Sequence, residues 1–223
     1  MGDRRMTSLS ASLYAADPFR LVEEIEAVSP HVESFHLDIM DGMFAPEFGL
    51  TTRVAKELLE RTAVPLDVHL MVEHPASSVI RFSEMGVRSI AIHLESTNVD
   101  FAELVAIART NGVKAYAALR HTTSTSALHQ LLSYIDGCLM LTAPAGGGEF
   151  DRTAFDRLKE LPAELYTIVD GKISTEHFDR LNGLNVDLAV VGAALFADGQ
   201  AGSRSKSLAV MLENKRSLAH DPN

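Results

Sequence analysis

With 223 residues, 46% of them hydrophobic and 22% charged, the chain has the balance of an ordinary globular protein and a length within reach of one α/β barrel. A formal net charge of −10 with no basic block argues against a nucleic-acid partner, because a polyanion is held by Lys and Arg that neutralise its phosphates. The lone Cys138 cannot form an intramolecular disulfide and no apolar run nears the roughly 18 residues of a membrane span, so cytoplasm and no membrane partner are expected.

In chain order, β-rich runs fall at residues 8–12, 34–41, 65–72, 89–95, 114–120, 138–143, 165–170 and 187–196. Amphipathic helical stretches separate them. Phe101, Leu104, Val105 and Ala108 form one apolar stripe, and Leu128, Leu131, Leu132 and Ile135 form another. Helix starts are expected at Asp17 before Pro18, near Pro75, and at Ser174. A last helix carries Leu208, Val210, Met211 and Leu212. Eight strands, each followed by a helix, fit a single (β/α)8 barrel domain across residues 1–223, with tails at 1–6 and 215–223, better than an open doubly wound sheet, a form that alternation alone leaves open. The first six residues open no apolar targeting stretch.

In such a barrel the chemistry sits where strands end. Strand side chains alternate faces, so with Leu37 and Ile39 toward the helices, His36, Asp38 and Met40 face the interior. The next run repeats the pattern with Asp67, His69 and Met71. Buried imidazoles and carboxylates are costly unless paired, and a divalent metal is the simplest common partner. Asp170, ending the seventh run, can supply a fourth ligand. Two imidazoles and two carboxylates suit Zn, Mn, Fe or Co. Asp67 and His93 read instead as satisfied core groups. Glycines follow the later strands (Gly146, Gly147, Gly148, Gly171 and Gly192), and exposed amides near helix starts make an anion site.

The chain resembles ribulose-phosphate 3-epimerases and related phosphosugar 3-epimerases over nearly its whole length. The likeness is carried by Ser12, His36-x-Asp38-x-Met40-Asp41-Gly42-x-Phe44-x-Pro46, Leu66-Asp67-Val68-His69-Leu70-Met71, Met140 with Pro144 and Gly147-Gly148, Val169-Asp170-Gly171, and Gly192 near Phe196. It implies that His36, Asp38, His69 and Asp170 bind one divalent metal ion and that Asp38 and Asp170 are the acid/base pair. It further implies that Ser12 touches substrate and that Gly147, Gly148, Gly171 and Gly192 line a phosphate site. The implied reaction inverts C3 of a ketose phosphate, ribulose 5-phosphate/xylulose 5-phosphate or a relative, through a metal-stabilised enediolate. Met40, Met71 and Met140 would cover the intermediate, core packing being the competing reading for each. Family likeness also implies a homo-oligomer, dimer or hexamer.

The sequence departs from the family pattern around the substrate. Met43 stands where His is common, Glu47 where Asn is, and Arg120-His121 replaces Asn-Pro. Thr142-Ala143-Pro144-Ala145-Gly146 replaces Val-Asn-Pro-Gly-Phe, and Glu149 replaces Gln. Lys172 takes the place of a second Gly, and Ala193 that of a Ser. Arg120 and Lys172 both fall at strand C-termini, and one of them is expected to bind an anionic group of a substrate other than ribulose 5-phosphate. Two alternatives compete. A phosphate-binding barrel lyase or decarboxylase also uses an enediolate, but it calls for a lysine that Asp38-Ile39-Met40-Asp41 lacks. A non-catalytic sugar-phosphate-binding barrel would have no use for the retained Asp38 and Asp170.

Overall fold

The computed structural model describes residues 7–96 and 100–218, with side chains through residue 212. Its strands are β1 (Ser8–Ser12), β2 (Ser34–Met40), β3 (Leu66–Met71), β4 (Ser89–His93), β5 (Lys114–Leu119), β6 (Gly137–Leu141), β7 (Thr167–Asp170) and β8 (Leu188–Val191). They pair in parallel in sequence order, and β8 returns to β1, closing the barrel. Closure leaves no strand edge with unpaired amides. The helices are α1 (Leu21–Val28), α2 (Thr52–Arg61), α3 (Ala76–Met85), α4 (Phe101–Thr110), α5 (Ala154–Lys159), α6 (Phe178–Asn182), α7 (Ala193–Phe196) and α8 (Ala201–Leu218). The architecture is the expected (β/α)8 barrel. Among the described residues no helix is long and apolar enough to cross a membrane.

Strand alternation sorts the core into two shells. Phe35 and Leu37 of β2 pack outward with Leu58, Val79 and Phe82 from the helices. Met40 packs inward with Met71, Leu139, Leu141, Ile168 and Val190. Local signals set the helix ends: the Thr51 hydroxyl accepts the Val54 N–H at 3.4 Å, the Asp100 carboxylate accepts that of Glu103 at 3.2 Å, and α3 stops at Gly86, whose φ is +76°. Pro75 stands at the N-cap of α3, near the expected start.

The structure corrects four local expectations and bears out Ser174 as a cap. The run at 187–196 is a strand only to Val191, because Gly192 leaves the extended region and its carbonyl accepts the Leu195 and Phe196 N–H groups, opening α7. Asp17 and Pro18 do not start a helix. The Asp17 carboxylate takes the Phe19 N–H at 2.9 Å and its carbonyl takes that of Arg20, making a turn that delays α1 to Leu21.

The stripe from Leu128 to Ile135 is no α-helix either. A 3-10 helix, Thr125–Leu128, runs into turns held by bonds such as Leu131 N–H to Leu128 O at 2.8 Å. Tighter turns still bury Leu128 and Ile135 against Leu119 and Cys138, so the apolar demand is met without α geometry. Ser174 precedes a 3-10 turn, Thr175–His177, that leads into α6, and its own N–H donates to His177 Nδ1 at 3.1 Å. Finally, α8 continues to Leu218, past the tail boundary expected at 215, burying Leu208 and Leu212 while Val210 and Met211 stay exposed.

Candidate metal centre

The four polar side chains selected by strand parity converge inside the barrel. The β2–β3 register sets Asp38 beside His69 and Met40 beside Met71, while β7 ends in Asp170 opposite Leu141 of β6. His36 Nε2 lies 3.3 Å from Asp38 Oδ1 and 3.4 Å from Asp170 Oδ2. His69 Nδ1 lies 3.3 Å from Asp38 Oδ1 and 3.1 Å from Asp170 Oδ2. One ligand atom from each of the four residues falls within a mutual 4.8 Å.

Charge compensation holds this cluster together. Burial would lower the His36 imidazole, but Asp38 and Asp170 outweigh it and push it up to about 10. His69 is raised as well, burial being overcome by its bonds to Asp170 and Asp38. Burial would raise Asp38, yet His36 and His69 hold it below the usual carboxylate range. Asp170 is held low by the same imidazoles against burial and the Asp38 charge. The positive charge favoured on the imidazoles thus stands where a divalent cation would balance the two carboxylates.

The residues present fit such a cation. Asp38 Oδ1 is buried and makes no well-aligned hydrogen bond although both ring nitrogens lie 3.3 Å away, which leaves it open to a shared cation. Imidazole nitrogens and carboxylate oxygens together form a borderline-hard donor set. The other Asp38 oxygen, Oδ2, accepts from the Ser12 hydroxyl at 2.8 Å, which fixes the carboxylate's rotation.

Above the centre opens a cleft of about 630 Å³. Ser12, Asp38, Met40, Met71 and Asp170 form its floor, and Gly147, Gly148, Gly171, Lys172, Gly192 and Ala193 line its walls. Gly148 has φ +143° and a Cβ there would strike the Pro144 ring at 2.8 Å; Gly171 has φ +114° and a Cβ would meet the Ala143 amide nitrogen at 2.8 Å. Both positions therefore require glycine, and both keep backbone open to the cleft.

Two expected substrate contacts lie elsewhere. Met140 is fully buried in the outer shell with Val169, because Leu139 and Leu141 take the inward positions of β6; Leu141 lines the cleft in its stead. The Arg120 guanidinium lies 3.7 Å from the Phe44 ring centroid and donates to the Phe44 carbonyl at 2.8 Å, away from the cleft-lining residues.

Asp67 is the core group expected. It pairs with Arg88 through both oxygens and accepts the Ser89 hydroxyl at 2.6 Å.

His93 is, as expected, a satisfied buried group outside the four ligands, and its inward position follows from the parity of Ala91 on β4. Its Nε2 lies 3.0 Å from His69 Nε2 and its Nδ1 2.9 Å from Glu95 Oε2. Burial pushes His93 down to about 4; Glu95, which burial alone would raise, is brought down to about 2 chiefly by His93 and Thr123. Sequence reasoning missed the cleft residues Glu176 and His177, which sit in a turn without periodicity; His177 stacks on Phe150 at 4.0 Å.

A profile of the ribulose-phosphate 3 epimerase family matches residues 8–196. The chain is 28% identical over 214 residues to the ribulose-phosphate 3-epimerase of Aquifex aeolicus, covering 91% of this chain and 96% of that one. It is 30% identical over 203 residues to the enzyme of the same name from Treponema pallidum, covering 86% and 93%. Among solved structures, KGPDC from Streptococcus mutans in complex with D-R5P superposes with a TM-score of 0.75 at 10% identity, over 93% of this chain and 98% of that one. The tryptophan synthase alpha-subunit of Pyrococcus furiosus (D17N) does so with 0.69 at 19% identity, over 95% and 100%. These two likenesses are of fold.

Proposed function

Since the chain belongs to the ribulose-phosphate 3-epimerase family and is an epimerase of the isomerase class, we propose that it inverts C3 of a ketose phosphate with one divalent metal ion and two aspartates. The observation that carries this reading is the convergence of His36, Asp38, His69 and Asp170 within 4.8 Å at the floor of a glycine-walled cleft.

These four side chains would hold the ion, which when bound supplies Lewis-acid polarisation of the substrate ketone and so acidifies the neighbouring C–H. Asp38, from β2, and Asp170, from β7, reach the same point from opposite sides of the barrel. One takes the C3 proton and the other returns a proton to the opposite face, their roles exchanging with the direction of reaction. Ser12 keeps Asp38 oriented through the hydroxyl bond to Oδ2. Met40, Met71 and Leu141 exclude water from the reacting carbons.

The backbone amides around Gly147, Gly148, Gly171, Gly192 and Ala193 receive the phosphate, a local anion site within a chain of net charge −10. With Arg120 engaged by Phe44, Lys172 is the expected cation that remains in the cleft. It is held at φ +56°, a left-handed conformation unusual for a side-chain-bearing residue. Lys172 is assigned to the substrate's anionic end, the substrate being ribulose 5-phosphate/xylulose 5-phosphate or a related ketose phosphate for which the altered cleft residues select.

Metal-loaded protein incubated in deuterated water with a panel of ketose phosphates tests the reading by NMR. Exchange of the C3 proton in one sugar identifies the substrate. Absence of C3 exchange across the panel, with metal bound, would overturn the assignment.

A further inference from the structure

We infer that His93 and Glu95 are positioning residues for His69, joined to it in a hydrogen-bonded relay that decides which nitrogen of His69 is free to ligate. The inference rests on the metal-centre reading above.

Only one proton can lie between His69 Nε2 and His93 Nε2, 3.0 Å apart. On the other side of the His69 ring, Nδ1 faces Asp170 and Asp38 at 3.1 and 3.3 Å. For Nδ1 to offer its lone pair to a cation, the proton of the neutral ring must be on Nε2. His93 Nε2 is then the acceptor, and the His93 proton sits on Nδ1, where Glu95 Oε2 waits at 2.9 Å. A carboxylate only accepts, so Glu95 terminates the chain and every bond in it acquires one direction.

Glu95 is itself immobilised. Its Oε1 accepts from the Arg120 N–H at 2.8 Å and from the Thr123 hydroxyl. The loop that supplies these donors is clamped by Arg157, which donates to the carbonyls of Arg120 at 2.9 Å and Thr123 at 2.7 Å. The His93 side chain is fully buried, its ring stacked on His69 at 5.1 Å and tilted on Phe44 at 4.7 Å. Partners of this kind conventionally orient a metal-bound imidazole and raise its basicity.

The experiment uses the full chain with 15N-labelled histidine, loaded with zinc as a diamagnetic probe, and reads the ring protons by two-bond 1H–15N spectra alongside zinc affinity by competition with a chelating dye. The expected spectrum has His69 protonated at Nε2 and His93 at Nδ1. His93→Gln keeps an acceptor near the same place and is expected to hold zinc within a few-fold of wild type. His93→Leu fills the space without an acceptor and is expected to weaken zinc by about 10- to 100-fold. Glu95→Gln should move the His93 proton toward Nε2.

Equal zinc affinity in the Gln and Leu variants, or a wild-type His93 protonated at Nε2, would overturn the relay. Because the wild-type tautomer is read directly, the relay stays open to disproof even if the Leu variant fails to fold. Failure of the wild type to bind zinc would instead sink the metal centre and the relay with it.

Discussion

Asp38 and Asp170 are the residues on which the proposed chemistry turns, and they are nearly isosteric with Asn. Asp38→Asn or Asp170→Asn should therefore leave the barrel folded while reducing C3 proton exchange by roughly 10²- to 10⁴-fold, the usual worth of one acid/base group. Folding would be followed by circular dichroism and exchange by NMR; wild-type exchange in either variant would remove that aspartate from the mechanism. Lys172 calls for a different substitution. Glycine tolerates φ +56° at least as well as lysine, so Lys172→Gly removes the charge and leaves the loop's path unchanged. The expected result is a Michaelis constant raised about tenfold with little change in turnover, since an interaction made equally in ground and transition states acts on binding alone. An unchanged constant would mean that Lys172 only covers solvent.

The imidazoles give the site its pH dependence. With His36 pushed up to about 10, its imidazole holds its proton at neutral pH when no metal is bound, and a metal must displace that proton; His69 is raised in the same sense. Metal affinity should consequently rise as pH rises toward 10, and calorimetry at pH 7 in buffers of different ionisation heat should report at least one proton released. The same shift sets stability without metal. A folded pKa above the unfolded value of 6.5 gives stabilisation that is complete below about pH 6.5 and lost as pH climbs through about 10. A metal-free chain whose melting temperature did not fall over that window would contradict the cluster's electrostatics.

At the scale of elements, the clearest case is the bond between β3 and β4. Asp67 is buried and meets Arg88 through both carboxylate oxygens, with Ser89 as a third donor. Asp67→Ala leaves a partly buried guanidinium without its main partner, at a cost of about 3 kcal/mol. Asp67 pairs in register with His36 on one side and Ser89 on the other, yet is not one of the four clustered ligand residues. The expected variant therefore unfolds at lower denaturant concentration and still binds metal.

The β5–β6 connection shows why an apolar period does not by itself fix a helix. Leu128, Leu131, Leu132 and Ile135 are buried or partly buried as their spacing predicts, but i→i+3 turns bury them as well as an α-helix would. Strand ends erred for a similar reason. The run through Val191 and Phe196 is continuously apolar, and only the backbone of Gly192 divides strand from helix.

For the whole molecule, a ligand that binds the folded chain alone raises its stability by mass action. Metal at about 100 times its dissociation constant should add about 2.7 kcal/mol. In a chain of this size that amounts to about 5 to 10 °C in melting temperature, reversed by a chelator.

What the sequence determined by itself was whatever strand periodicity carries. Eight β-rich runs alternating with amphipathic stretches pointed to a parallel α/β fold, with the closed barrel ahead of an open sheet, and the pairing of β8 with β1 made the choice. Parity along 36–40 and 67–71 brought His36, Asp38 and His69 to one face, and the carboxylate ending the seventh run completed the set. Period two is a property of the extended chain and survives any packing. Tertiary structure decided the rest. Met140 lost its place in the cleft to Leu141 through the register of β6 with β7, and Arg120 was drawn to Phe44, 76 residues away in sequence. His93 and Glu95 gained meaning only when β4 was laid beside His69 and the Arg120 loop folded over them. These outcomes depend on which strand lies against which and on contacts between side chains distant in the chain, and no local pattern of residues encodes such distances.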